Sequence, residues 1–215
     1  MISRWLFLLS RKPLVHALVR WGFGHLSAVL PVHRIATTER VIAFYHPRPA
    51  WSPHILLVPK LGIPSFVALR PPDTAVIVDI VRLATEIVAT YAPTTAPAVL
   101  LVNGGAYQDV GQLHFHLTWG MDWSSYTCPG EITDDPIFQT EQVTVYQHPQ
   151  PVRAIHLVLH PSTENVDLNV LIVAAQQVVH ALNLLPTGFS VVLSDSRTGP
   201  TNTWECFHLV SGAFL

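Results

Sequence analysis

Apolar and polar residues alternate most regularly over residues 112–118. Leu113, Phe115 and Leu117 would share one face of a strand there. The opposite face would carry Gln112, His114, His116 and Thr118. A glycine-rich loop comes just before and contains Asn103, Gln108 and Asp109. Imidazoles beside a loop of amide and N–H donors can hold and attack a phosphate group, but two histidines on a half-exposed strand are also ordinary surface residues.

The same reading predicts strands and helices elsewhere in the chain. Three short apolar runs bounded by turn residues predict strands, at 41–46, 54–58 and 99–102. Two longer stretches with broad apolar faces predict helices, at 71–91 and 163–184. Asp73 or Thr74 can cap the first of these helices. Residues 121–142 have no clear period and are predicted to be a linker.

After this linker the pattern of the first half starts again. Residues 46–59 align without a gap on 148–161, and residues 99–116 align without a gap on 191–208. Because two separate blocks match in the same order, the sequence predicts a tandem duplication.

The second copy lacks the polar residues that make the first copy notable. It has Asp195, Pro200, Trp204 and Cys206 where the first has Asn103, Gln108, Gln112 and His114, and only His116 keeps its type, as His208. The first half is therefore predicted to carry the chemistry. Catalysis by Cys206 would need a base and a lowered thiol pKa, and this alternative is disfavoured.

The N-terminal stretch, residues 1–38, has five basic residues and no acid before Glu39. Its apolar run at 5–9 is too short for a secretory signal, and His16, Arg20 and His25 within 13–31 disfavour a spanning helix. The pattern predicts an amphipathic helical segment. Three roles stay open for it: packing on the domain, which is preferred, weak contact with a membrane surface, or contact with a partner.

Composition narrows the class of protein. The chain has 215 residues, 49% of them hydrophobic, and a net charge of −2, so nothing in the overall charge favours nucleic acid. The two cysteines, Cys128 and Cys206, are predicted to form neither a disulfide framework nor a C-x-x-C metal site. A cytoplasmic location is the resulting expectation.

The two chemistry-bearing stretches together resemble the histidine triad (HIT) nucleotide-binding family. Its members carry G-Q-x-V-x-H-x-H-x-H after a loop with Asn and Gly, and residues 108–116 match this signature with Gln112 at the first histidine. An earlier family stretch, A-F-x-x-x-x-P-x-x-P-x-H-x-L-x-x-P-K, resembles residues 43–60, with His54 at its histidine. The resemblance covers residues 40–120 strongly and 143–212 as a degenerate second copy.

The resemblance implies an α+β fold in which a HIT-like antiparallel sheet with its helix is duplicated in tandem as an intrachain pseudo-dimer. The expected division of the chain is an N-terminal helical segment, an active HIT-like half, a linker and a degenerate HIT-like half, at residues 1–38, 39–122, 123–142 and 143–215. The expected assembly is a monomer with pseudo-two-fold symmetry or a homodimer.

The resemblance also implies a mechanism. In the family the middle histidine attacks the α-phosphorus of a nucleotide and forms a nucleotidyl-histidine intermediate, and here that residue is His114. The last histidine, His116, would contact phosphate oxygens. The other residues expected to bind substrate or phosphate are Gln112, Gln108, Asn103, Asp109 and His46, the last at the position of a ribose-binding Asp or Asn. Asp109 has two readings, a proton-transfer group or a loop cap, and the cap is favoured.

No metal or cofactor is expected. Family members with a structural zinc use the first triad histidine and a C-x-x-C, and this sequence has neither, although His54 remains. A transition metal at His114 and His116 would need a third ligand, for which His46 and His54 are the candidates, and this alternative is disfavoured.

The leading prediction is a nucleotide hydrolase or nucleotidyltransferase acting on a dinucleoside polyphosphate or a nucleoside phosphoramidate. The tandem halves also resemble the branch with galactose-1-phosphate uridylyltransferase and diadenosine tetraphosphate phosphorylase. The first alternative is a non-catalytic nucleotide sensor or scaffold, because Gln112 cannot take up a proton. The second is a peripheral membrane protein that uses residues 1–38.

Overall fold

The computed structural model of the protein describes residues 33–93, 95–129, 135–163, 167–195, 204 and 206–211. The helices predicted within residues 1–32 lie outside this part. The strands are β1 (Arg34–Thr37), β2 (Val41–Tyr45), β3 (Ile55–Pro59), β4 (Ala98–Gly104), β5 (Phe115–Trp119), β6 (Phe138–Gln139), β7 (Val143–Gln147), β8 (His156–Pro161), β9 (Phe189–Asp195) and β10 (Cys206–Ser211). The α-helices are α1 (Thr74–Tyr91) and α2 (Leu168–Ala181).

All these strands belong to one antiparallel sheet, in the order β1-β2-β3-β5-β4-β9-β10-β8-β7-β6. From one edge to the centre the order is β1-β2-β3-β5-β4, and from the other edge to the centre it is β6-β7-β8-β10-β9. The two halves of the sheet therefore have the same strand order. At the centre, Leu101 of β4 lies opposite Val192 of β9. His116 of β5 pairs with Leu101, and His208 of β10 pairs with Val192. The two histidines therefore share one row, three strand spacings or about 14 Å apart.

Helices α1 and α2 cover one face of this sheet, and the other is called the open face below. Residues of β3 and β4 alternate between the two faces, so Leu57, Leu100 and Val102 join the core beneath the helices. Each buried side chain of this size contributes about 1.5–3 kcal/mol to folding. Within the described part of the chain, no helix is both long and apolar enough to span a membrane.

Several predicted elements differ from the structure at their ends or in kind. Helix α1 starts at Thr74 because Pro71–Asp73 forms a 3-10 turn, and α2 starts after Asp167, whose carboxylate accepts from the Asn169 N–H at 2.9 Å. The N-terminal helical prediction is wrong for Arg34–Thr37, which pairs with β2 as a strand. The predicted linker also contains strand β6, which pairs with β7.

The strand registers correct one residue match between the halves. Leu101 lies opposite His116 as Val192 lies opposite His208, so the structural counterpart of Asn103, two residues beyond Leu101, is Ser194. The ungapped alignment matched Asn103 with Asp195 instead. That match is wrong because side chains alternate along a strand, and Asp195 follows Leu193 on the helix-covered face.

The cysteine prediction is also wrong, because Cys128 and Cys206 form a disulfide bond. They are 78 residues apart, but the chain after β5 runs over the open face toward β10. A disulfide is typical of oxidising compartments, so cysteine usage no longer supports the expectation of a reducing cytoplasm.

Candidate active site

The open face of the first half holds a cluster of histidines around strand β5. His116 is on this strand and is buried, and His54 is buried immediately before β3. His54 Nε2 lies 2.8 Å from His116 Nδ1. His46 stacks on the His54 ring with 4.2 Å between ring centroids, and the His114 ring lies edge-on to His116 at 4.9 Å. The structure therefore brings together three of the predicted site residues and adds His54.

Backbone groups determine which nitrogens of this cluster carry protons. The Ala50 N–H donates to His54 Nδ1 at 3.2 Å, so the proton of neutral His54 is on Nε2. That N–H donates to His116 Nδ1, which places the proton of His116 on Nε2. This Nε2 is buried and has no hydrogen-bond partner among the described residues. His116 thus offers an N–H donor that a ligand oxygen could satisfy.

His114 has the opposite arrangement. Its Nδ1 lies 2.8 Å from the carbonyl oxygen of Gln112, which can only accept, so Nδ1 carries the proton. The Nε2 of neutral His114 is therefore an unprotonated lone pair. The side chain is half-buried. The result is a nucleophilic nitrogen beside the N–H donor of His116.

The local electrostatics keep these imidazoles neutral near pH 7. Burial lowers the pKa of His114, while the Gln112 carbonyl and the charge of Asp109 act in the opposite direction. Burial lowers the pKa of His54 to about 3 and the pKa of His116 well below its usual range, and neighbouring imidazoles add to both effects. Burial also lowers the pKa of His46. A neutral imidazole is the form that can act as a nucleophile.

The glycine-rich loop of the first half rests on the second half. Gly105 has a φ of +61°, a conformation that favours glycine, and its backbone packs against Leu185. The Ala106 N–H donates to the Leu185 carbonyl at 2.9 Å. Asn103 is buried on the open face, and its Oδ1 accepts from Ser190 of β9 at 2.6 Å.

Two predicted phosphate contacts are occupied by the chain itself. The Gln108 amide nitrogen donates to the carbonyls of Pro64 at 2.6 Å and Val110 at 2.7 Å. The Gln112 amide nitrogen donates to the carbonyls of Pro59 at 3.2 Å and Leu61 at 3.0 Å. Both glutamines therefore brace the backbone instead of offering their amide hydrogens to a ligand. Gln112 and His114 also precede β5, so the predicted strand is shorter at its start.

The second half repeats the histidine arrangement with two differences. His148 stacks on His156 at 4.1 Å, and His156 Nε2 lies 3.1 Å from His208 Nδ1. His208 Nε2, the counterpart of the unpartnered nitrogen of His116, donates to the Tyr126 carbonyl at 2.8 Å. Cys206, which stands where the first half has His114, is bonded to Cys128.

The segment 121–129 thus occupies the site of the second half. The Tyr126 ring lies 5.2 Å from His156 and 5.6 Å from His208, and burial raises the pKa of Tyr126 to about 12. Sequence reasoning treated this segment as linker and missed its role. The Trp123 and Tyr126 pair, three residues apart on an otherwise polar stretch, was the available signal.

His148, His156 and His208 also have ring nitrogens within 4.8 Å of one another, which is compatible in principle with a metal ion. However, the Gln150 and Val152 N–H groups donate to Nδ1 of His148 and His156. The remaining nitrogens are held by the His156–His208 bond, the Tyr126 carbonyl and a backbone bond of His148 to Thr127. Because a metal would have to displace these bonds, the residues do not fit a metal ligand set.

Part of the chain is similar to a known domain. Residues 27–120 match the family model of the HIT domain. No curated protein matches the sequence. Among solved structures, a HIT family hydrolase from Clostridium thermocellum is 28% identical with a TM-score of 0.42, and the match covers 47% of this chain and 90% of that one.

Two larger proteins match over most of the chain. A GalT-like protein from Arabidopsis thaliana is 11% identical with a TM-score of 0.56, and the match covers 89% of this chain and 81% of that one. A yeast Ap4A phosphorylase in complex with AMP is 12% identical with a TM-score of 0.49, covering 91% and 64% respectively. The α+β fold is therefore HIT-like, with an antiparallel sheet and few helices. The match to the HIT family model covers residues 27–120, which is less than half of the chain, so the first half is the part that is similar to this family.

Proposed function

We propose that the protein is a nucleotide hydrolase or nucleotidyltransferase that works through His114. The observation that carries this proposal is the pair of fixed proton positions. The Gln112 carbonyl holds the proton of His114 on Nδ1 and leaves Nε2 as a lone pair, while His116 presents a buried Nε2–H without a partner among the described residues. A nucleophile beside a dry N–H donor suits attack on a phosphate whose oxygens gain negative charge.

The proposed reaction has two displacement steps. First, the His114 Nε2 lone pair forms a bond to the α-phosphorus, and the bond from phosphorus to the leaving oxygen or nitrogen breaks, with the electron pair going to the leaving group. Then the oxygen of water or of another hydroxyl acceptor attacks phosphorus and loses its proton to solvent, the N–P bond breaks, and His114 recovers its lone pair. His116 Nε2–H stabilises the phosphate oxygens in both steps. Dinucleoside polyphosphates and nucleoside phosphoramidates are the proposed substrates.

We also propose that the chain is a tandem duplication folded as an intrachain pseudo-dimer, in which only the first half reacts. The symmetric strand order and the two matched histidine clusters support it. The filled second site supports the assignment of activity to the first half, because Tyr126 takes the donor of His208 and Cys206 is bonded to Cys128. The proposed active half covers residues 39–122 and the degenerate half residues 143–215.

The test is covalent trapping. The protein is incubated with a panel of dinucleoside polyphosphates and nucleoside phosphoramidates, quenched and analysed by peptide mass spectrometry. A nucleotidyl group on His114 is expected. His114→Ala should abolish both adduct and turnover while largely keeping nucleotide binding, and His160→Ala, an exposed histidine elsewhere, should change neither. A folded protein with no adduct and no turnover across the panel would contradict the proposal.

A second candidate function is a non-catalytic nucleotide sensor. Gln112 favours it, because its amide nitrogen is held by two carbonyls and its buried Oε1 has no hydrogen-bond partner among the described residues. Such a residue cannot exchange protons with the triad. A sensor would gain thermal stability with nucleotide and show neither adduct nor turnover, which separates the two candidates in the same panel.

A further inference from the structure

Ser190 belongs to the second half of the chain but contacts the loop of the first. It is on β9, fully buried, and its backbone pairs with Asn103 of β4. Its hydroxyl donates to Asn103 Oδ1 at 2.6 Å. This hydrogen bond joins two buried side chains across the central strand pair of the sheet.

In the structure, the Asn103 amide is oriented with Oδ1 toward Ser190, where it accepts this bond. With Oδ1 facing Ser190, the Nδ2 hydrogens are left for the β5 side of Asn103. Leu101 of β4 pairs with His116 of β5 in an antiparallel register. Two residues further along the chain from Leu101 and two residues before His116, the same register places Asn103 opposite His114. An amide held in this orientation presents N–H donors toward the phosphate that His114 would attack, whereas the flipped amide would present a carbonyl oxygen that repels it.

The arrangement exists on one side of the pseudo-two-fold axis only. The symmetry-related pair is Val99 opposite Ser194, and a valine side chain cannot form this hydrogen bond. Ser194 is buried on the same strand and the same face as Ser190. The bond to Asn103 is therefore a feature of the half that carries the lone pair of His114.

We infer that Ser190 is a positioning residue supplied by the second half, which orients the Asn103 amide as a phosphate donor for the site of the first half. The inference rests on the proposed function, because it assumes that a nucleotide phosphate lies at His114. It assigns the second half a direct part in the site beyond structural support.

The experiment measures single-turnover formation of the His114 adduct and, separately, the affinity for AMP. Ser190→Ala should slow adduct formation about tenfold at saturating nucleotide. Ser190→Thr, which keeps the hydroxyl, should recover most of the rate. Ser194→Ala is the matched control and should leave the rate within about twofold of the wild type, since loss of a hydroxyl away from Asn103 removes no oriented donor.

Asn103→Ala provides the second measurement. If Ser190 acts through Asn103, adding Ser190→Ala to Asn103→Ala should slow the reaction no further. Equal rates for Ser190→Ala and the wild type, or full additivity of the two substitutions, would overturn the inference.

The AMP arm separates failure of this inference from failure of the proposed function. If the wild type binds AMP but forms no adduct, the chemistry has failed, and the inference is then supported by weaker AMP binding in Ser190→Ala than in Ser194→Ala. Equal AMP affinity in these two variants would overturn it. A wild type that neither binds AMP nor forms an adduct overturns both.

Discussion

At the scale of single residues, hydrogen bonds to the backbone decide what each imidazole can do. The Ala50 N–H and the Gln112 carbonyl are two backbone groups whose donor or acceptor character cannot change. Because of these two groups, neutral His54 carries its proton on Nε2 and neutral His114 carries its proton on Nδ1. The His54 N–H donates to Nδ1 of His116 and so fixes the proton of His116 on Nε2. Neighbouring histidines thereby acquire different chemical roles.

This arrangement predicts that His54→Leu slows adduct formation about 100-fold. Without the His54 donor, the proton of His116 is free to move to Nδ1, and Nε2 would then face the phosphate with a lone pair. His54→Gln, whose amide N–H can still donate, should recover part of the rate. The readout is the single-turnover rate of adduct formation at pH 7.

His156→Leu is the matched control for this prediction. It removes the corresponding donor in the second half, where Tyr126 already occupies His208. Its effect on the reaction rate should stay within about twofold. Similar losses in His54→Leu and His156→Leu would show that the effect is a general loss of packing and not of proton position.

The sequence predicted part of this site. His114 and His116 could be found because they alternate with apolar residues after a recognisable loop. The roles of Gln108 and Gln112 could not, because each binds a carbonyl far away in the sequence, that of Pro64 at 44 residues and that of Pro59 at 53 residues. Partners brought together only by the sheet leave no local pattern.

At the scale of elements, the segment 121–129 differs most from its prediction. It has no helical or strand period, yet Trp123 and Tyr126 are buried against Val99 and Leu101 of the open face. Hydrophobic periodicity predicts helices and strands, so it cannot predict the position of an irregular segment that is held by two aromatic side chains. Helix α1, by contrast, was predicted to within three residues because its apolar face recurs over five turns.

The disulfide that anchors this segment predicts a measurable stabilisation. Cys206→Ser, Cys128→Ser and the double variant should each lower the free energy of unfolding by about 2–4 kcal/mol, because the crosslink restrains a long loop in the unfolded chain. Urea titration under non-reducing conditions measures it. The three variants should agree with each other and with the reduced wild type, and a wild type whose stability does not respond to reductant would contradict the prediction.

At the scale of the whole molecule, the two histidine clusters are buried in one continuous sheet. The repeat and the resemblance predicted a HIT-like antiparallel sheet with its helix in each half, but not the order of the strands within the sheet. The strand registers could not be derived from the repeat. The ungapped alignment places Asp195 at the position of Asn103, but β9 is offset by one residue relative to β4. This offset puts Asp195 on the opposite face of the sheet.

The buried histidines predict that the protein loses stability in mild acid. Burial lowers the pKa of His54 and His156 to about 3 and that of His208 to about 4, whereas these groups titrate near 6.5 when unfolded. Between these values the unfolded chain binds more protons, so the free energy of unfolding falls as pH drops below 6.5. Each histidine contributes about 1.4 kcal/mol per pH unit at most.

Urea titrations at pH 7, 6 and 5 measure this dependence. The free energy of unfolding should fall more steeply from pH 6 to pH 5 than from pH 7 to pH 6. His156→Leu should have a shallower dependence, because it removes one of the titrating groups. An unfolding free energy that stays constant from pH 7 to pH 5 would count against neutral buried imidazoles.

The joining of both histidine clusters in one polypeptide has a genetic consequence. In an assembly of two identical chains, every substitution appears at both sites, so a change that blocks one also blocks the other. Here Tyr126 and Cys128 lie against His208 and Cys206, while His116 keeps its open donor. One coding sequence can therefore accumulate changes at one site while selection preserves the other. Ser190, which lies opposite Asn103, is an example of a residue of the second half that can change to suit the first site without altering a second copy of that site.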